Sequence, residues 1–457
     1  MSKKSSPKEL KDQFKALMHH YELPYVRVAV ADLDGVLRGK MMAVEKFRSA
    51  IEKGFGFCDV VFGWDIGDVA YDNVKFTGWH TGYPDALVKI DLGSARRLPW
   101  QEGSLLVLGH FEAPAPCPRR LLMEVQQRAH AMGYEPLFAQ EFEWFNFKKT
   151  QEPNNKFTEG FKVPEPITRG MFGYSLLRLA ENQAFWNQLF AHLQAAGVPL
   201  EGLHTETGPG VAEAAICHAT VVEAADRAVL FKTFVKQIAS QHGIIASFMA
   251  KWNEHLPGCS GHLHQSLADP ETGKNLFYDV KSSRRISALM ESYIAGQLYC
   301  LPHILPMLAP NVNSYKRLVE GAWAPTTLTW GFDNRTTAIR VIECGPQATR
   351  IEMRVSGSDS NPYLAMAASL ASGLYGIQNK MKLHIPPTEG NGYLDNRHGR
   401  LPADLWEATQ AMKKSEVARE LFGEDFVNHF VATREAEWNR FMRPVTDWEI
   451  QRYFELV

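Results

Sequence analysis

Residues 134–149 read YEPLFAQEFEWFNFKK, an aromatic and aliphatic run interrupted by Glu141 and Glu143. That composition predicts a strand. Side chains alternate along a strand, so the two carboxylates share a face that continues with Phe145 and Phe147, and Phe142 and Trp144 share the other. Neither face is simply polar. Two carboxylates held this close repel unless a cation neutralises them. A lone Glu-x-Glu is usually a solvated outer face, so the pair acquires meaning only from what accompanies it.

Three other segments carry charge in or beside apolar strand patterns. HTETGPGVAE places Glu206 and Glu213 on either side of a Gly-Pro-Gly turn, GHLHQS places His262 and His264 on one strand face, and TRIEMR places Arg350 and Arg354 beside Glu352. Singly these read as a structural histidine pair or a surface salt-bridge ladder. Together, five carboxylates and a histidine are the donor set that two hard divalent cations, magnesium or manganese, require. Arginines around 317, 335–340 and 350–354 suit a strongly anionic substrate such as a nucleotide phosphate or a phosphorylated intermediate. No P-loop or dinucleotide-type glycine fingerprint is present.

The chain has 457 residues with a formal net charge of −2, which argues against a dedicated nucleic-acid binder. Six scattered cysteines with no C-x-x-C spacing fit a reducing compartment. No apolar leader and no run of 18 apolar residues is visible, so a cytoplasmic protein without membrane contact is expected. The first hundred residues predict a helix over 7–20, a hairpin through YVRVAVADLDGVLRGK, and strands at 86–92 and 104–112. The proline-rich APAPCPRR (113–120) reads as a linker, dividing the chain into 1–112 and 113–457. Beyond it, helices are expected at 118–132, 174–196, 220–242, 282–300 and 361–381, with strands at 134–149, 244–251, 261–267, 337–345 and 349–357. The last 60 residues read as helical. The class is α+β.

In order, EFEWFNF, HTETGPGVAE, GHLHQSL, NVNSYKRL, NRTTAIRV, TRIEMR and NPYLAMAA resemble the motif series of the glutamine synthetase superfamily over essentially the whole chain. The resemblance implies an N-terminal β-grasp domain, then a catalytic domain with a curved antiparallel sheet and flanking helices. It implies ATP and Mg2+ (or Mn2+) at two or three ions per site. It also implies a homo-oligomer, two stacked hexamers forming a dodecamer, with sites shared between neighbours. By this resemblance Glu143, Glu206 and Glu213 form the first metal site, and Glu141, His262 and Glu352 the second. Glu143, Gly258, His262, Arg317 and Arg354 fall where the family holds glutamate. His264 and Ser266 fall at ATP, with the phosphate-contacting Arg335 and Arg340; Arg340 is expected to stabilise transition-state charge.

The departures decide the expected function. The sixth residue after Arg317, where glutamine synthetases carry a flap glutamate, is Trp323; Glu320 is at the wrong spacing. The aspartate of the ammonium site has no clear counterpart in residues 54–73, where Asp59 and Asp65 are candidates. Gln347 replaces a lysine near the nucleotide, and Pro257-Gly258-Cys259 replaces the segment before the strand-borne histidine. A pocket poor in carboxylates suits a small, largely apolar amine, with Trp323 and Trp64 as its aromatic walls. Trp323 could instead pack under the flap. The expected activity is ATP-dependent ligation of the γ-carboxylate of L-glutamate to a primary organic amine through γ-glutamyl phosphate, as in amine catabolism. The alternatives are an ammonia-using glutamine synthetase, with Glu320 or Asp65 compensating, and a non-catalytic structural member.

Overall fold

The computed structural model describes residues 9, 12, 14–16, 24–102, 104–149 and 165–457. The helix expected over 7–20 falls largely outside them; its described residues are helical, and Phe14 is buried.

Val26, Val28 and Val30 alternate into the interior of β1 (Tyr25–Ala31), which pairs with β2 (Leu37–Ala43) as the expected hairpin. Its tip turns on Asp32, whose Oδ1 accepts from the Asp34 and Val36 amides at 3.0 and 2.9 Å. Gly35 there adopts φ 78°, and a Cβ would lie 3.1 Å from the Asn361 Cα, so glycine is strongly favoured. With β3 (Phe55–Cys58), β4 (Asp85–Leu98) and β5 (Ser104–Phe111) the sheet runs β2-β1-β5-β4-β3, with β1 and β5 parallel. The helix Val44–Lys53 crosses between β2 and β3, which makes this a β-grasp arrangement.

The second sheet has nine strands. Its path is β12 (Trp330–Phe332), β13 (Ile339–Ile342), β14 (Arg350–Met353), β11 (Gly261–Ala268), β6 (Glu135–Lys148), β8 (Val211–Ile216) and β7 (Leu200–Thr205). β9 (Ala219–Thr220) and β10 (Ile244–Ser247) also pair with β6. All its pairs are antiparallel except β12 with β13. One face of β6 is core: Phe142 stacks on Phe231 of the helix Val221–Gln241 at 5.6 Å, and Trp144 meets the same ring at 5.5 Å.

Three elements differ from the sequence expectation. The helix expected over 174–196 divides into Leu176–Ala180 and Gln183–Ala195, because Asn182 leaves helical geometry at φ −126° and ψ 35°. The helix expected from 282 begins at Ala288: Arg285 takes a left-handed φ of 55°, and the Ser287 hydroxyl caps the Met290 amide at 3.2 Å. It continues through Pro302 to Ile304. The polar NVNSYKRLV contains the helix Val312–Arg317, closed by a reciprocal cap between Asn311 and Ser314. Among the described residues no helix is long and apolar enough to cross a membrane.

The helix Glu424–Phe441 docks on the N-terminal region. Arg434 pairs with Asp34 at 2.8 Å, Asn73 donates to the Ala432 carbonyl at 2.7 Å, and His429 Nε2 lies 2.9 Å from the Phe62 carbonyl. Burial pulls the His429 imidazole down to about 4, although the Phe62 carbonyl favours its charged form. The unfolded chain therefore takes up this proton first as pH falls. The stabilisation is complete above pH ~6.5 and is lost between ~6.5 and ~4, by about 3 kcal/mol at most. Denaturant midpoints measured from pH 7 to 4.5 should fall less steeply in His429→Gln than in the wild type; equal slopes would place the acid sensitivity elsewhere.

Candidate active site

The register of the second sheet gathers the charged residues. β6 and β11 set Glu141 opposite His262, and β11 and β14 set His264 opposite Glu352. β14 and β13 set Glu352 opposite Arg340, and β6 and β8 set Glu143 opposite Glu213. Directly opposed residues point the same way, so all of these share the face of the sheet away from the helix Val221–Gln241. Phe145 and Phe147 continue that face as expected, and pack with Trp252 and Cys259.

Glu352 is 1% exposed. His262 Nδ1 lies 3.2 Å from it, Arg340 donates to it at 2.8 Å, and Arg354 donates to its other oxygen. Burial would raise this carboxyl, but His262 and Arg354 hold it down at about 2. Burial works against Glu141 too, yet His262, 3.9 Å away, and the hydrogen bond from His264 keep it well below the usual carboxylate range. His264 is oriented from both sides: Arg350 Nε donates to Nδ1 at 3.1 Å, so Nε2 carries the hydrogen toward Glu141 at 3.0 Å.

The other carboxylates behave oppositely. Glu143 accepts the Ser260 amide at 2.8 Å, but burial, with Glu206 and Glu141 nearby, pushes its carboxyl up to about 7. Burial and the adjacent Glu141 push Glu213 up to about 11. Burial and Arg354 pull the His262 imidazole down to about 4, leaving it neutral, and its Nε2 is buried without a partner. Mutually repelling carboxylates beside an unpartnered neutral imidazole nitrogen are chemically matched to divalent cations.

His264 and Ser266 line a cleft of about 460 Å³ together with Ile216, Gln347 and Arg350, opening beside Glu141. Arg340 is also held by Asp333, at 2.9 Å from Nε. Arg335 is exposed, and its carbonyl accepts from Arg354 Nε at 3.0 Å. Arg317 is buried behind the site. Its Nη atoms donate to the Val355, Arg354 and Ser356 carbonyls at 3.0–3.1 Å, which leaves only Nε unpartnered. Gly258 packs on Arg317: a Cβ would lie 2.5 Å from the Ala250 carbonyl oxygen and 2.8 Å from Arg317 Cγ.

Trp323 takes a left-handed φ of 58° and is 56% exposed, so it does not pack beneath the flap segment of its own chain. Glu320 is paired with Arg400 at 2.9 Å. Trp64 is half-buried near the first sheet, with the Arg38 guanidinium 5.1 Å over its ring. Asp65 accepts the Gly67 and Val69 amides at 2.9 Å and pairs with Arg440; Asp59 accepts from the Thr77 hydroxyl at 2.5 Å.

Sequence reasoning did not single out His204. It lies opposite Glu213 in the β7–β8 register, with Nε2 3.3 Å from a Glu213 oxygen, and Tyr174 stacks on its ring at 4.4 Å. The available signal was its spacing, two residues before Glu206.

A curled antiparallel sheet with these charged residues on one face is the architecture of carbon–nitrogen ligases of the glutamine synthetase type. The family pattern "Glutamine synthetase, catalytic domain" matches residues 115–453, and the chain belongs to that family. It is 52% identical over 444 residues to type-1 glutamine synthetase 2 of Dictyostelium discoideum, covering 95% of this chain and 84% of that one. It is 34% identical over 445 residues to a glutamate–isopropylamine ligase of Pseudomonas sp, covering 96% of each. A solved GmaS/ADP complex superposes with a TM-score of 0.82 at 26% identity, covering 97% of this chain and 99% of that one. Enzymes of this family use ATP, divalent cations, glutamate and either ammonia or an amine.

Proposed function

We propose that the protein ligates the γ-carboxylate of L-glutamate to a primary organic amine, giving a γ-glutamylamide in amine catabolism. The observation that carries the choice of acceptor is that the three candidate carboxylates for the ammonium site, Glu320, Asp65 and Asp59, already have partners. Glu320 is held by Arg400, Asp65 by two amides and Arg440, and Asp59 by Thr77, while an exposed tryptophan stands at the flap position. The Pseudomonas relative, named for isopropylamine, supports an alkylamine.

In this reading Glu143, Glu206 and Glu213 hold one cation and Glu141, His262 and Glu352 a second. Bound cations neutralise the ATP phosphates and the charge developing on them. Arg354 and Arg317 fix the glutamate end of the site, where Gly258 lets the backbone approach. His264 and Ser266 orient the nucleotide in the adjacent cleft. Arg340, already aimed by Glu352 and Asp333, stabilises the transferring phosphoryl group together with Arg335. The γ-phosphoryl passes to the glutamate carboxylate. The neutral amine then attacks the acyl carbon, phosphate leaves, and the nitrogen loses a proton. Residues 1–112 are proposed as one domain and 113–457 as the catalytic one. Trp64, beside Arg38 at the first sheet, is proposed to serve a neighbour's site in a dodecamer of two stacked hexamers.

Ammonia is the second reading, favoured by the 52% identity to a protein named glutamine synthetase. Phosphate release from ATP with glutamate and Mg2+ is to be compared across ammonia, ethanolamine, putrescine, isopropylamine and aniline. Strong stimulation by one organic amine with ammonia poor is the expected result. Ammonia as the best acceptor would replace this proposal with the second reading.

A further inference from the structure

We infer that His204 Nε2 is a direct protein ligand of the first cation, making that site a mixed nitrogen–oxygen one. The inference rests on the assignment of Glu206 and Glu213 to a cation. One donor atom from each of His204, Glu206 and Glu213 lies within 4.8 Å of the others, the spacing a single ion can bridge. Three further observations orient the imidazole as a ligand.

First, His204 Nδ1 lies 3.1 Å from the Thr205 carbonyl, which can only accept, so Nδ1 carries the hydrogen and Nε2 presents a lone pair. A ring N–H donated to a main-chain carbonyl is the arrangement that fixes metal-bound histidines elsewhere. His262 is set up the same way, with Nδ1 at 3.2 Å from Glu352 and Nε2 free of any partner. Second, that lone pair faces a Glu213 oxygen at 3.3 Å, a contact that needs a proton or a cation between the two atoms. Third, Glu206 Oε2 is buried and unpartnered, with the hydrogen-bearing His204 Nδ1 as its nearer ring nitrogen at 3.7 Å, and Tyr174 lies over the imidazole at an interplanar angle of 26°, fixing its plane. An imidazole in the set raises affinity for Mn2+ or Co2+ relative to Mg2+, which prefers oxygen donors.

The test is pulsed electron paramagnetic resonance of the full-length enzyme titrated with Mn2+, which reads directly bound imidazole nitrogen independently of turnover. The wild type should show two imidazole couplings, His262→Gln one, and the double variant with His204→Gln none. His204→Gln alone should weaken one Mn2+ by at least about 10–100-fold. Loss of all nitrogen coupling in His262→Gln with both ions bound would overturn the inference, as would two couplings retained in His204→Gln. The His262→Gln arm decides the matter even where His204→Gln fails to fold. A wild type that binds no Mn2+ would instead remove the cation assignment on which the inference rests, a separate and recognisable failure.

Discussion

Trp323→Glu should raise the ratio of ammonia to isopropylamine kcat/KM by at least about 10–30-fold. A small alkylamine buries roughly 60–80 Å² of apolar surface against an indole, worth about 1.5–2 kcal/mol at ~25 cal/mol per Å². The substitution removes that surface and supplies a carboxylate that attracts ammonium. Trp323 is free to respond, being 56% exposed, and the adjacent Glu320 is paired with Arg400. Trp323→Phe should retain most of the preference for the apolar amine. If neither substitution moves the ratio, Trp323 does not line the acceptor pocket.

Glu352→Gln should reduce ATP turnover by about 10³-fold or more, with every amine alike. The substitution keeps the shape but removes the one charge that holds Arg340, Arg354 and His262 together. Arg354 is 4% exposed, so its guanidinium would be left buried and uncompensated. Breaking such a pair costs roughly 3–5 kcal/mol of stability, which a lowered denaturant midpoint would register. Glu143→Ala should abolish turnover in the same amine-independent way, without disturbing that arginine pair. Near-wild-type turnover in either variant would undo the cation assignment.

The two predictions draw on different kinds of information. Glu141, Glu143 and Glu352 were legible because charge inside an apolar strand pattern is anomalous in one dimension, and alternation gives the shared face without coordinates. The hairpin at Asp32–Gly35 was legible for the same local reason. The break at Asn182 and the late start of the helix at Ala288 were not. Each depends on one residue's backbone conformation, which the apolar periodicity around it does not report.

From sequence alone came the class of the fold, the family through the order of its motifs, and the replacement of the flap glutamate by Trp323. These follow from side-chain type and local spacing. Only the tertiary structure decided that Glu320, Asp59 and Asp65 are already engaged, that the Arg317 Nη atoms donate to main-chain carbonyls while Nε stays free, and that His204 faces Glu213. Partners such as Glu320 and Arg400 are 80 residues apart in the chain. Strand register and chain packing bring such groups together, and the hydrophobic pattern of either segment alone carries no record of the other.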